Sequence, residues 1–127
     1  KVPSSWILTP HPGEMARLLK TSTKSINSNR LKSVERFQEV YTSHLVLKGY
    51  KTLVSDGSNT FEIQSGNESL AKAGSGDLLS GMTVSFLAQG LVPLKASCLA
   101  AFVHGYIGIL WKKKFTSHSL NPSDMIE

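Results

Sequence analysis

Three short apolar runs set the fold class of this chain. Trp6-Ile7-Leu8-Thr9, His44-Leu45-Val46-Leu47 and Thr52-Leu53-Val54-Ser55 are each bounded by turn residues and too short for helices, so they read as strands. Between the first two, Met15, Leu18 and Leu19 recur at helical spacing after Gly13. Leu31, Val34, Phe37 and Tyr41 then fall about one turn apart within residues 30–42, the pattern of an amphipathic helix. Thr21–Asn29 is rich in Ser, Thr and Asn and reads as a loop. Asp56-Gly57-Ser58-Asn59 joins the third run to Thr60–Ile63, a β-hairpin signal. A small-residue loop over Ser65–Asp77 leads into helical stretches at Leu78–Gln89 and Pro93–Lys114. Asn121-Pro122-Ser123-Asp124 reads as the capped start of a last helix. Strand–helix–strand alternation, a hairpin and then helices predict an α/β fold. Trp6–Thr9 is expected to be a buried strand. Because the chain opens on it without lead-in, an upstream part of the sheet is expected to be missing.

With 127 residues the chain suits one modest domain. Hydrophobic residues make up 40% and charged residues 18%, which excludes a disordered chain and fits a soluble globular one. No membrane-spanning run or signal peptide is read. Cys98, the one cysteine, has no internal disulfide partner and is expected to be a buried thiol in a reducing cytoplasm. The net charge of +5 comes from scattered residues. The single tight cluster, Lys112-Lys113-Lys114, either complements the negative end of a helix dipole or meets a polyanion.

Three segments carry possible chemistry. In Ala73-Gly74-Ser75-Gly76-Asp77, small residues stop where an apolar helix begins. Glycines let backbone N–H groups approach a ligand closely, and a helix N-terminus adds unpaired donors and a partial positive charge, so the turn suits a phosphate or a developing oxyanion. Asp77 is either a helix cap or a base that takes a proton from an attacking hydroxyl. The turn lacks the Gly-Lys-Ser/Thr ending of a P-loop and the glycine order of a dinucleotide fold. In Thr9-Pro10-His11-Pro12-Gly13-Glu14, two prolines and a glycine hold one imidazole at the end of a strand. This is either a rigid turn or a ligand-facing histidine at the carboxyl edge of an open sheet. In Lys48-Gly49-Tyr50-Lys51-Thr52 a lysine follows a buried strand, where it is either solvated or a point charge for phosphate. His44, His104 and His118 read as structural or solvated, and no His/Cys/Asp/Glu set has metal-ligand spacing.

These segments, in this order, resemble the ADP/ATP-dependent NAD(P)H-hydrate dehydratase family. The likeness rests on Thr9–Glu14, on Leu47-Lys48-Gly49, and on Gly66-Asn67 through Gly76-Asp77. It extends to Leu78-Leu79-Ser80-Gly81-Met82, Ala88–Gly90, His104-Gly105 and the closing Pro122–Glu127. The His-Pro-Gly-Glu turn is similar to this family rather than to the related hydroxymethylpyrimidine and hydroxyethylthiazole kinases. The chain departs from the family at Gly66-Asn67-Glu68-Ser69-Leu70-Ala71-Lys72, where many relatives read Gly-Asn-Pro-Gly-Met-Ala-Thr. It departs also in extent, a full family domain being about twice as long.

The resemblance implies a ribokinase-like three-layer α/β/α fold, of which residues 1–127 are the C-terminal half. It implies repair of hydrated NADH or NADPH: a phosphoryl group passes from ADP or ATP to the hydrate's hydroxyl, and phosphate is then eliminated. Asp77 is then the base and His11 contacts the hydrate. The Gly74–Asp77 amides, including those of Ser75 and Gly76, form the anion hole. Lys48, Gly49, Tyr50, Lys51 and Thr52 hold the nucleotide with Gly76, and Mg2+ accompanies it. The implied partners are the hydrate and the adenine nucleotide, without nucleic acid or membrane, and self-association is compatible with them. Lys72 is either an added phosphate contact or a solvated loop lysine. The alternatives are a ribokinase-like small-molecule kinase and a non-catalytic fragment. A chain of this extent is expected to be inactive as a dehydratase by itself and to bind adenine nucleotide weakly.

Overall fold

The computed structural model describes residues 2–66, 70, 73–114, 123 and 126. The chain divides into two compact units, Lys1–Glu62 and Ile63–Glu127.

The first unit is a four-stranded mixed sheet with three helices. The strands are β1 (Ile7–Leu8), β2 (His44–Leu47), β3 (Leu53–Ser55) and β4 (Thr60–Glu62), and the helices, all between β1 and β2, are α1 (Pro12–Leu18), α2 (Thr23–Ser28) and α3 (Arg30–Val40). The sheet order is β1-β2-β3-β4. β1 runs parallel to β2, pairing Ile7 with His44, whereas β2–β3 and β3–β4 are antiparallel. A helical crossover is what a parallel pair requires. Leu45 and Leu47 from β2 and Leu53 from β3 pack with Met15, Ala16, Leu19, Ile26, Val34 and Phe37 from the helical side. Val46 and Val54, which alternate to the opposite face, are buried too. Both faces of β2 and β3 are therefore apolar, which is why these strands read as continuous hydrophobic runs.

Several expectations change. Thr21–Asn29 is not a loop throughout. Ser22 Oγ accepts from the Ser25 amide at 3.1 Å and caps α2, whose Ile26 is buried. The strand expected over Trp6–Thr9 is only Ile7–Leu8, and it is half-buried. Trp6 is 57% exposed, and among the described strands β1 pairs with β2 alone. Leu31 is exposed, so the buried stripe of α3 narrows to Val34 and Phe37 with Ser33. The hairpin is as expected. Asp56 Oδ1 accepts from the amides of Ser58 and Asn59 at 2.9 and 2.7 Å. Those bonds, the one from Asn59 foremost, hold its carboxyl below the usual carboxylate range.

The second unit packs α4 (Ser75–Ala88) against α5 (Pro93–Lys114). Helix α4 begins three residues before the expected Leu78, taking in the glycine turn itself. Pro93 opens α5 at a position where its missing N–H costs nothing. Ala96, Ser97, Ala100, Ala101 and His104 form the buried face of α5, and Leu79 and Thr83 are buried on α4. Small residues on that face let helix backbones approach closely. Gly105 continues it: a Cβ there would lie 2.6 Å from the carbonyl carbon of Ser65, so the chain crosses α5 at a point where only glycine fits. Cys98 is half-buried rather than buried. The expectation that no run has membrane-spanning length is also corrected. Over Pro93–Lys113, α5 is long and apolar enough to cross a bilayer by length and composition alone. Its buried His104 shares a hydrogen bond with Ser75, as polar groups in a packed protein core do. Lys112 and Lys113 lie exposed in the last turns of α5, where cations suit the helix dipole.

Candidate active site

Parallel pairing brings two of the three sequence signals together. The Lys48 amide donates to the Pro10 carbonyl at 2.9 Å, so the His-Pro-Gly-Glu turn after β1 and the Lys-Gly turn after β2 sit side by side at the carboxyl ends of their strands. That edge is where open α/β sheets bind ligands. His11 is the N-cap of α1. Its Nδ1 accepts from the amides of Gly13 (3.0 Å) and Glu14 (3.2 Å), while Glu14 Oε2 accepts from the His11 amide at 2.7 Å. This is a capping box with histidine in the usual Ser/Thr place. Because Nδ1 is an acceptor, the neutral imidazole carries its proton on Nε2, the nitrogen left for a ligand. It lies 3.6 Å from Glu14 Oε1. Glu14 also meets Lys48, whose Nζ is 3.7 Å from Oε2. One carboxylate thus ties the imidazole turn to the lysine.

The backbone bond from His11 is the main reason the Glu14 carboxyl lies below its usual value of 4.5, with Lys48 adding to it and burial opposing it. A depressed carboxylate pKa contributes stability that is present above the unfolded value and lost as pH falls through the folded one. Hydrogen-exchange protection of the His11 amide should therefore be present above the usual carboxylate value and be lost only as pH falls well below it. Glu14→Gln should flatten that dependence, and protection unchanged across the range would overturn the capping role.

The turn after β2 is built by a residue that sequence reading passed over. The Arg30 guanidinium, at the start of α3, donates to the carbonyls of Leu47 (2.9 Å) and Lys48 (3.3 Å). Burial lowers its pKa, and the Glu62 charge opposes that. Nothing in a lone Arg at a helix start signals such a contact, because the partner carbonyls lie 17 and 18 residues away. Thr52 Oγ1 donates to the Gly49 carbonyl at 3.1 Å and closes the turn. Tyr50 is 77% exposed at its tip. Lys51 holds a left-handed backbone at φ 55°, which costs a non-glycine residue about 1–2 kcal/mol. Its Nζ lies 3.4 Å from Glu62 Oε1. The five predicted nucleotide-binding residues Lys48–Thr52 therefore form one clamped turn.

The third signal lies in the second unit. Gly74 is the N-cap of α4 at φ 85°, and among the described residues no side chain caps this end. A left-handed N-cap is cheap only for glycine. Without a side-chain cap, the first-turn amides keep the donor capacity that helix geometry leaves unpaired. The contrast with α1 is direct, since there His11 consumes the Gly13 and Glu14 amides. The Asp77 amide is 3.1 Å from the Gly74 carbonyl. The exposed Asp77 side chain occupies the position from which Glu14 reaches back in α1, but it makes no such capping bond. Ser75 is buried, and its Oγ shares a 2.8 Å hydrogen bond with His104 Nε2. What Ser75 offers a ligand is therefore its amide and not its hydroxyl. Gly76 is half-buried, and its carbonyl accepts from Ser80 Oγ at 3.0 Å. Lys72, His118, Asn67–Ser69 and most of the last expected helix lie outside the described residues. Among the described residues no three His, Cys, Asp or Glu side chains cluster to hold a metal ion.

The family profile for NAD(P)H-hydrate dehydratase matches residues 2–127. The ADP-dependent (S)-NAD(P)H-hydrate dehydratase of Neisseria meningitidis is 45% identical over 100 residues, which cover 78% of this chain and 34% of that protein. A bifunctional NAD(P)H-hydrate repair enzyme of Dictyoglomus turgidum is 38% identical over 122 residues, covering 95% of this chain and 24% of that one. Among solved structures, the ADP/ATP-dependent NAD(P)H-hydrate dehydratase of Bacillus subtilis, co-crystallized with ATP/Mg2+, superposes with a TM-score of 0.89 at 30% identity, covering 94% of this chain and 43% of that one. A ribokinase-like superfamily protein of Enterococcus faecalis superposes with a TM-score of 0.80 at 29% identity, covering 97% of this chain and 42% of that one, and the α/β class and the ribokinase-like fold follow from these two neighbours. The chain spans 34% and 24% of the lengths of these two curated relatives. With the two strand-end turns and the glycine turn of α4 each formed where the motifs fall, and with the match running through nearly every residue, the chain belongs to the NAD(P)H-hydrate dehydratase family.

Proposed function

We propose that this chain supplies the phosphate-handling part of an enzyme that restores hydrated NADH or NADPH, with ADP or ATP as the phosphoryl donor. The observation that carries the reading is the N-terminus of α4: a first turn, after a left-handed glycine, that no described side chain caps, with a carboxylate that makes no capping bond. The amides of Ser75 and Gly76 and the helix dipole stabilise charge on the transferring group. Asp77 takes the proton from the hydrate's hydroxyl as its oxygen bonds to phosphorus and the bond to the departing nucleotide breaks. The new C–O–P linkage then loses phosphate as the neighbouring carbon loses a proton, which restores the ring double bond. The products are inorganic phosphate, the shortened nucleotide and the reduced dinucleotide. The clamped turn Lys48–Thr52 serves the nucleotide, with Lys48 as a point charge, and His11 offers Nε2–H to the hydrate.

The described residues hold no carboxylate cluster, which fits a magnesium ion that arrives on the nucleotide's own phosphates rather than in a protein cage. When bound there it neutralises phosphate charge. The lone, half-buried Cys98 suits a reducing compartment.

The test is the full-length protein with hydrated NADH, magnesium and either nucleotide. Return of NADH absorbance together with an equal amount of free phosphate is the expected result. A stable phosphorylated product would identify a kinase instead, and no turnover with either donor would overturn the reading.

A further inference from the structure

The geometry of the glycine turn has to come from somewhere. Gly74 and Gly76 are the two most permissive positions available to a backbone, no described side chain caps α4, and Asp77 is exposed. Of Gly74, Ser75 and Gly76, only Ser75 has a side chain, and it turns inward to a 2.8 Å hydrogen bond with His104 on α5. Ser75 is 4% exposed and His104 8%. One turn of α5 holds the other described end of the same loop as well. Ser65 Oγ donates to the Phe102 carbonyl at 2.9 Å, and Gly105 makes room for the Ser65 backbone. The segment Phe102–Gly105 thus anchors the Ser65–Ser75 loop at both described ends.

A buried hydroxyl–imidazole pair adds little net stability, since folding exchanges bonds to water for bonds to protein. Its distinctive contribution is direction, because a satisfied buried polar pair specifies one arrangement. We propose that His104 is a positioning residue for phosphoryl transfer: through Ser75 it sets the rotation of the first turn of α4, and so where the turn's amides and the Asp77 carboxylate point. The inference rests on the phosphoryl-transfer reading above for its effect on rate, but not for its effect on the turn.

The test uses the full-length protein and the variants His104→Ala, His104→Gln, Ser75→Ala and His104→Ala/Ser75→Ala. Misplacing reacting groups by about 1 Å can cost on the order of 100-fold, so kcat should fall about 10- to 100-fold in each alanine variant. The nucleotide KM should stay within about twofold, because the amides are still present. The double variant should be no slower than the worse single one, as expected for residues that act as a unit. Glutamine, whose amide nitrogen reaches the place of Nε2, should recover most of the rate. Amide exchange at Asp77 and Leu78, which both meet the Gly74 carbonyl at 3.1 Å, should speed up in the alanine variants whatever reaction the protein catalyses. A lowered melting temperature with unchanged kcat, or additive losses in the double variant, would overturn the positioning role. So would unaltered exchange at Asp77 and Leu78. Should His104→Ala fail to fold, Ser75→Ala and His104→Gln carry the same decision. A wild-type protein that leaves hydrated NADH untouched would instead sink the functional reading, with the exchange measurement still deciding whether His104 sets the turn.

Discussion

Asp77→Asn in the full-length protein should lower turnover of hydrated NADH by about 10²–10⁴-fold while leaving nucleotide affinity unchanged or slightly improved. Asn is nearly isosteric with Asp and remains a good residue for a helix start, so α4 should form as before. The change removes a proton acceptor and one negative charge from beside the Ser75 and Gly76 amides. A lost base acts on the transition state alone, whereas a lost charge next to phosphate oxygens removes repulsion already present in the bound state. Single-turnover rates and calorimetric nucleotide affinity on both forms separate these effects. Near-normal turnover in the Asn variant would leave Asp77 as a residue of the helix start with no part in the chemistry. The structure already weighs against a simple cap. Glu14 and Asp77 occupy equivalent places in α1 and α4, and only Glu14 reaches back to its N-cap amide.

The largest expected effect on stability is at Phe37. Its side chain is fully buried in the cluster between α1–α3 and the sheet and stacks on Tyr41 with ring centroids 4.8 Å apart. Phe37→Ala removes the transfer free energy of the ring and leaves a cavity that the surrounding strands fill only in part, which together cost about 3–5 kcal/mol. Against a whole-domain stability of about 5–15 kcal/mol, that is a large share. The loss should appear as a lower denaturant midpoint at unchanged slope. It should also reach the clamped turn, because α3 carries Arg30, and Arg30 holds the Leu47 and Lys48 carbonyls. Phe37→Leu should cost much less, since it keeps more of the volume. A loss under about 1 kcal/mol for Phe37→Ala would contradict the packing described for α3.

How much of this was legible beforehand depended on the range of the interactions involved. Local pattern was enough for β2, the β3–β4 hairpin, α3 and α5, because a buried strand, an Asp-Gly turn and a helical stripe are each recorded within a few residues. Pattern was also enough for the three turns that carry the candidate chemistry, because their glycines, prolines and single charged residues sit in fixed local order. It misread 21–29, where one Ser cap and one buried Ile26 outweighed a loop-like composition. It overcounted the buried stripe of α3 at Leu31 and extended β1 over Trp6, since exposure depends on how elements pair and pack and not on the residues of one element alone.

The residue types and local order of the turns at Thr9–Glu14, Lys48–Thr52 and Gly74–Asp77 were determined by the sequence itself. Only the tertiary structure decided how those residues are employed. His11 Nδ1 is spent on its own helix, Glu14 bridges to Lys48, Arg30 clamps carbonyls 17 and 18 residues away, and Ser75 turns inward to His104. All but the first of those assignments are contacts between positions distant in the chain. Such a contact leaves no local trace, because its energy depends on geometry that exists only after the strands have paired and the helices have packed.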